Sequence, residues 1–527
     1  MQSEKSEFDI LILNGRVLDG MGNPWYYADI GITDDRIQFV GDLKHAAGRE
    51  VINAMGLTIA PGFIDVHTHA TNGLQSKELS SAKSILAQGV TSVVVNHDGG
   101  GPVNLAEQES RLMAYGLGVN VIPFVPHGSV RSEIMNRDNR KPTSSELNEM
   151  KSLVRQGMEF GAFGLSTGLF YAPGSFSETS EIIELAKVVA EFDGIHVSHI
   201  RDEADYNIGV VAAVDEIIRI SEEAVLPGVV SHIKTLGPRV WGYSSALVHR
   251  INSARQNGIE VYADQYPYAA SATSLSGALI PSNAHEGGLG ALRSRLNDEN
   301  ALIWIRQGIT DNLDRRGGAD RILFRRFQQD ESIEGKTLQN VADSLGTNPV
   351  DLTVELIKIG SPDIISVNMH DDDVNFLMQQ SWTMTSSDGD LTSIGDGVPH
   401  PRNYGPFPRK IKKYVIEDKV ITLENAIRSM TSLPASVLRL NERGAIRQGA
   451  VADLAIFDLD QIKDVATYTD PHHYSEGMVH VLVGGKFGIK NAEFTGELNG
   501  RVLKKDHASI AFTTCPCTSV SRKSRPW

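Results

Sequence analysis

Two imidazoles set two residues apart, His67 and His69, end the apolar run GLTIAPGFIDVHTH (56–69). On a β-strand that spacing turns both side chains to one face, where they can chelate a single ion. His199 in IHVSHI and His232 in VVSHIK repeat the pattern of an imidazole closing a short apolar stretch, and Asp388 follows another in WTMTSSDG. Four histidines and a carboxylate from separate strand ends suit one or two divalent ions. An ion held there would lower the pKa of a bound water and polarise a carbonyl. Asp388 could then take the water proton and return it to a leaving nitrogen, serve only as a metal ligand, or do both.

NHDGG (96–100) adds two further ligand candidates, His97 and Asp98. Adjacent strand residues point to opposite faces, so a bent strand exit is needed to bring either inward. Asp98 is the favoured ligand or bridge, with His97 as the alternative. The glycines behind them permit close approach of backbone or substrate.

Residues so placed need a scaffold that presents many strand ends at one mouth. Between residues 56 and 268 short β-rich runs alternate with helical stretches, as in TSVVVNHDGG (91–100), SELNEMKSLVRQGMEFG (145–161), EIIELAKVVAEFDG (181–194) and IEVYADQYPY (259–268). Repeated strand–helix units with polar residues at strand ends predict an α/β fold with a parallel sheet closed into a (β/α)₈ barrel. DILILNG (9–15) and ADIGITDDRIQFVG (28–41) read as strands, as do VADLAIFD (451–458) and VHVLVGGK (479–486), so both chain ends are expected to share one small sheet domain. The expected division is a small domain from 1–60 and 435–500 and a catalytic barrel over 61–434. The less regular 283–350 would be a lid insertion, and 501–527 a peripheral tail whose two thiols, Cys515 and Cys517, cannot complete a structural zinc site.

Composition sets the outer bounds. A hydrophobic fraction of 41% with 49 glycines in 527 residues fits a folded α/β enzyme. A formal charge of -15 argues against nucleic acid, which favours a basic footprint. Two cysteines, no apolar run of membrane-spanning length and no leader pattern give a cytoplasmic protein without a membrane partner as the expectation. Oligomeric state has no readout in these residues.

The ordered set APGFIDVHTH, GAFGLSTGLFYAPG (161–174), SHIRDE (198–203), SHIK (231–234), DQYPY (264–268), SSDG (386–389) and PHPR (399–402) resembles the D-aminoacylase, or N-acyl-D-amino-acid deacylase, branch of the amidohydrolase superfamily. The similarity runs from NGRVLDG near the start to GAIRQGAVADLAIFD near the end. It implies a barrel joined to a small β-sandwich and zinc-dependent hydrolysis of an amide. By this resemblance His67, His69, His199 and His232 are metal ligands and Asp388 is the catalytic aspartate. Lys234, Tyr266 and Arg402 would recognise the carboxylate of a small N-acyl substrate, a task that suits lysine and arginine chemically. The chain departs from the family where an asparagine–cysteine–glycine metal motif is expected, since Asp98 takes the cysteine position. A carboxylate is a harder donor than a thiolate, which leaves metal number and identity open. The expected reaction is hydrolysis of an N-acyl-D-amino acid to a D-amino acid and a carboxylate. A cyclic amidase of dihydroorotase or hydantoinase type, a D-dipeptide hydrolase and a non-enzymatic metal-binding protein are the alternatives.

Overall fold

The computed structural model describes residues 7–506, so the Cys515–Cys517 segment lies outside the described residues. Eight short parallel strands form the barrel: Phe63–Asp65, Val90–Val95, Asn120–Pro123 continued by Val125–Pro126, Gly164–Gly168, Ile195–His199, Gly228–Val230, Val261–Gln265 and Thr383–Thr385. Each pairs with the next in chain order. The ring closes between the extensions of the first and eighth strands. There Asp388 N donates to His67 O at 2.8 Å and His69 N to Gly389 O at 2.8 Å, beside a Thr68–Gly389 bridge. Asp65 reinforces the seam by accepting from Ser387 N at 2.9 Å.

Strands covered on both faces read as near-continuous apolar runs, and every residue of VTSVVV and IHVSH is buried. Alternation then decides which face each side chain serves. Ile64, Val66, Val94, Ile122, Phe124, Ile195, Val197, Val229 and Met384 pack together inside the ring, closed at one end by Leu433, Val437 and Leu438 of a short helix. The barrel is therefore a packed core and its chemistry is confined to the opposite, C-terminal mouth. Outside, helices such as Val210–Ala224 bury Val210, Val214, Ile217 and Ile220 on one stripe against the strands. Ser144–Phe160 starts with a Thr143/Glu146 capping box.

Strands from both chain ends form a separate nine-stranded sheet, joined where Thr58–Pro61 pairs antiparallel with Leu454–Phe457. Its interior is an aliphatic cluster including Ile12, Ile30, Ile59, Leu454 and Leu482, which gives the β-sandwich beside the barrel. Residues 500–505 run along the third barrel strand, with Val121 N donating to Arg501 O and Leu503 N to Val121 O.

The connection between the seventh and eighth barrel strands is a subdomain. Ala270–Ser274 and Ile322–Arg326 flank Asp363–Val367 in an antiparallel sheet, and helices including Glu299–Arg315 and Pro349–Ile359 cover it with their own apolar core. The strand Asp363–Val367 therefore belongs to this sheet and lies outside the barrel. No helix among the described residues is long and apolar enough to cross a membrane.

Candidate active site and metal centre

The C-terminal mouth opens into a cavity of about 580 Å³, walled by strand ends on one side and by Ser271–Ser274, Arg316 and Arg325 of the subdomain on the other. His67 and His69 arrive from the first strand, Asp98 from the second, His199 from the fifth, His232 from the sixth and Asp388 from the eighth. Two overlapping groups result, His67–His69–Asp98–Asp388 and Asp98–His199–His232, which share Asp98.

Backbone conformation explains how Asp98 reaches the centre. Asn96 and Asp98 both take left-handed φ values, 67° and 56°, which breaks the strand alternation at the exit of the second strand. Asn and Asp tolerate that region better than most residues. Gly168 is required opposite, because a Cβ there would lie 2.1 Å from Asp98 O. His232 at 36° and Asp388 at 51° are left-handed as well, so three of the six inward groups sit in sparsely populated backbone, a pattern typical of functional sites.

The separations suit coordination better than hydrogen bonding. Asp98 Oδ1 lies 3.5 Å from His67 Nε2 and 3.8 Å from His232 Nε2. Its Oδ2 lies 3.5 Å from His69 Nε2 and 3.7 Å from His199 Nδ1. Donor atoms about 2.0–2.2 Å from a shared tetrahedral ion stand roughly 3.3–3.6 Å apart. Both nitrogens of His67 and of His199, together with Asp98 Oδ1, are buried without a hydrogen-bond partner. Unpaired buried polar atoms are costly, and convergent imidazole and carboxylate donors are what a divalent ion requires. The donor set fits such ions.

Asp388 stands at the edge of the cluster. Its Oδ1 is 3.1 Å from His69 Nε2 and 3.6 Å from His67 Nε2, while Oδ2 accepts from Arg402 Nη1 at 2.6 Å. Burial pushes its carboxyl up, but Arg402 and the imidazoles outweigh burial and hold it well below the usual carboxylate range. Lys234 Nζ donates to Glu203 Oε1 at 2.5 Å and lies 2.7 Å from His232 Nδ1. Tyr266 lies between the two cations, its ring 5.6 Å from Lys234 Nζ and 5.0 Å from the Arg402 guanidinium. Its buried hydroxyl has no hydrogen-bond partner.

His97 belongs to neither ligand group. Its ring stacks on His67 at 3.9 Å and 16°, and burial followed by the charge of His67 pushes its pKa well down. Two acids beyond the sequence expectations support the histidines. Asp264 accepts from His232 N at 2.9 Å and Ser386 Oγ at 2.6 Å, with its other oxygen 3.8 Å from His67 Nδ1. Glu203 links His232 to Lys234. Both lie inside motifs that carry other candidates, DQYPY and SHIRDE; Asp264 sits near the end of the seventh barrel strand, whereas Glu203 lies in the loop after the fifth, with no periodicity to mark it.

A (β/α)₈ barrel with a shared His/Asp metal centre at its mouth and a β-sandwich built from both chain ends defines a metal-dependent hydrolase of the amidohydrolase type. A family model described as "Amidohydrolase family" matches residues 305–488. The chain belongs to the D-aminoacylase/N-acyl-D-amino-acid deacylase family within that class. It is 33% identical to an N-acyl-D-glutamate deacylase of Alcaligenes xylosoxydans xylosoxydans over 96% of this chain and 98% of that one. It is 32% identical to a D-aminoacylase of the same organism, over 96% of this chain and 100% of that one. The crystal structure of an N-acyl-D-glutamate deacylase from Bordetella bronchiseptica, complexed with zinc and a phosphonate mimic of the tetrahedral intermediate, superposes with a TM-score of 0.80 at 32% identity. That match covers 95% of this chain and 100% of the other.

Proposed function

We propose that this protein hydrolyses the amide bond of N-acyl-D-amino acids, releasing a D-amino acid and a carboxylate. The observation that carries it is the placement of an unpartnered Tyr266 hydroxyl, flanked by Lys234 and Arg402, in the same cavity as the His/Asp centre. A substrate with a carboxylate beside its scissile amide can engage both at once. The D configuration follows from what the relatives are named for.

His67, His69, Asp98, His199, His232 and Asp388 would hold one or two ions, with zinc the first choice from the relatives and Asp98 a harder donor than a thiolate. Such ions lower the pKa of water and polarise a carbonyl. Asp388 takes a proton from the attacking water and gives it to the amide nitrogen as the C–N bond breaks. Arg402 holds Asp388 Oδ2, which leaves Oδ1 turned to the histidines. Lys234, Tyr266 and Arg402 bind the substrate α-carboxylate and set the distance from it to the amide. The subdomain of the last connection, which lines the cavity, acts as its lid. A cytoplasmic setting agrees with the scarcity of cysteine.

One hydrolysis panel tests the proposal: N-acetyl-D-amino acids, their L isomers, D-dipeptides and cyclic amides, each with added divalent metal. Turnover confined to D-configured N-acyl substrates is expected. Turnover confined to cyclic amides would overturn it.

A further inference from the structure

Behind the Asp98–His199–His232 group stands one acid that faces three members of the site. Glu203 is 6% exposed and sits in the loop after the fifth barrel strand. Its Oε1 lies 3.0 Å from His232 Nδ1, while Oε2 faces His199 Nε2 at 3.9 Å, beyond direct hydrogen-bond reach. The opposite nitrogens of the same rings, His232 Nε2 and His199 Nδ1, face Asp98 at 3.8 and 3.7 Å. The two imidazoles therefore lie between Asp98 on the side of the metal centre and Glu203 behind. Oε1 of Glu203 also accepts from Lys234 Nζ at 2.5 Å, and that ammonium stands 2.7 Å from His232 Nδ1.

His232 Nδ1 thus has two competing partners of opposite kind. A carboxylate only accepts, an ammonium only donates, and a neutral imidazole carries its single N–H on one of its two nitrogens. If Nδ1 accepts from Lys234, the ring N–H is at Nε2 and closes the face turned towards Asp98 to an ion. If Nδ1 donates to Glu203, the Nε2 lone pair is free to hold one. In this second arrangement Nδ1–H and the ammonium are two donors 2.7 Å apart, so Lys234 has to turn away. Its flexible stem allows the turn. The open side is the cavity, where Nζ is 5.6 Å from the ring of Tyr266 and the Tyr266 hydroxyl has no partner.

We infer that Glu203 is a positioning residue that links metal binding at His232 to carboxylate capture by Lys234. An ion on Nε2 commits Nδ1 to Glu203 and releases the Lys234 ammonium to the cavity. A carboxylate that draws Lys234 off Nδ1 favours the ion in return, because such a linkage is reciprocal. The carboxylate clamp is therefore open chiefly when the centre is loaded. The inference rests on the proposed deacylase activity for the identity of that carboxylate, but the linkage itself needs no turnover.

The test follows zinc retention by the full-length, zinc-loaded protein against a graded series of chelator, read by elemental analysis after dialysis. The carboxylate probe is 4-methylpentanoate, which has no amide to hydrolyse and no amine to chelate, and 4-methylpentanamide is its uncharged control. In the wild type the carboxylate should raise the chelator concentration that removes half of the weaker-held zinc roughly 5-fold or more, and the amide should not. Lys234→Met takes away the competing donor. It should hold zinc at least as tightly as the wild type and no longer respond to the carboxylate. Glu203→Gln should loosen zinc roughly 10- to 100-fold, the usual effect of altering the partner behind a ligating histidine. A carboxylate effect that survives in Lys234→Met would show direct ligation of the probe and sink the linkage. Looser zinc in Lys234→Met, or unchanged zinc in Glu203→Gln, would sink it too. If either variant melts well below the wild type, the wild-type comparison decides alone, and an equal response to the two probes rejects the linkage. Inactivity towards N-acyl-D-amino acids would remove the deacylase reading and leave a positive zinc result standing, and the converse also holds.

Discussion

The barrel contains two buried groups made from the same ingredients, and they are built in opposite ways. At the mouth, His67, His69, His199 and His232 surround Asp98 at 3.5–3.8 Å. On the barrel's outer layer, His127 Nε2 meets Glu181 Oε1 at 2.9 Å, and Arg131 closes on the other oxygen of Glu181 while donating to Arg140 O at 2.7 Å. Burial pushes the Glu181 carboxyl up, but His127 and Arg131 outweigh it and hold the group ionised. The second group has brought its charges into contact and has no adjoining cavity among those described. The first keeps its donors apart, convergent and facing open space. Buried histidine and carboxylate are therefore not evidence of a metal site by themselves. The distinction is whether they satisfy one another or leave room for an ion among them.

The widest separation between the two groups should come from Asp388→Asn. Turnover is expected to fall roughly 10²- to 10⁴-fold, the range for loss of a positioned acid–base group, while elemental analysis still finds metal, since the Asp98–His199–His232 donors are untouched. Near-normal activity with metal retained would remove Asp388 from the proton transfer. Asp98→Ala strikes the one ligand common to both donor sets, so metal content per chain should drop by at least about half while the circular dichroism spectrum is kept. Retention of full metal content would show that the histidines suffice.

Glu181→Leu should do the reverse. Removing the acid leaves Arg131 buried and uncompensated, at a cost of about 3–5 kcal/mol in denaturant unfolding with metal content unaffected. A smaller effect would erase the contrast between structural and functional clusters. Lys410 offers a milder, pH-resolved check on buried charge. Its ammonium donates to the Thr385 and Ser429 hydroxyls, and burial pulls its pKa down to about 7 from the ordinary 10.5. Between those values the unfolded chain binds the proton that the folded chain lacks, so stability should rise with pH from about 7 towards 10.5. Lys410→Met should flatten that slope and leave Thr385 and Ser429 bonded to each other at 3.0 Å. An unchanged slope in the variant would assign the pH dependence elsewhere.

The residues most legible beforehand were those whose roles follow from strand periodicity. His67 and His69 are two apart, and the period of a strand puts them on one face whatever the rest of the chain does. His199, His232 and Asp388 each terminate an apolar run, which in a parallel barrel is enough to place them at one mouth. Asp98 was ambiguous with His97 because local rules give adjacent residues opposite faces. Two left-handed residues, accommodated by Gly168 from another strand, turn the Asp98 carboxylate towards the histidines while His97 stacks on His67. The subdomain was harder still. Ala270–Ser274 pairs with a strand about ninety residues later, and no local pattern announces an antiparallel partner at that distance.

The amino-acid sequence by itself determined the barrel, the sandwich strands at both ends and the set of side chains able to bind metal, because these depend on short-range alternation and residue chemistry. Only the tertiary structure decided how those side chains are spaced, which acids stand behind them and which charges are left without a partner. Arg316 shows the difference most clearly. In sequence it is the second arginine of DRRGG (314–318), beside an apparently equivalent neighbour. Its burial, its unbonded Nε and its place on the cavity wall arise from packing between segments far apart in the chain, where the low dielectric makes a buried charge consequential.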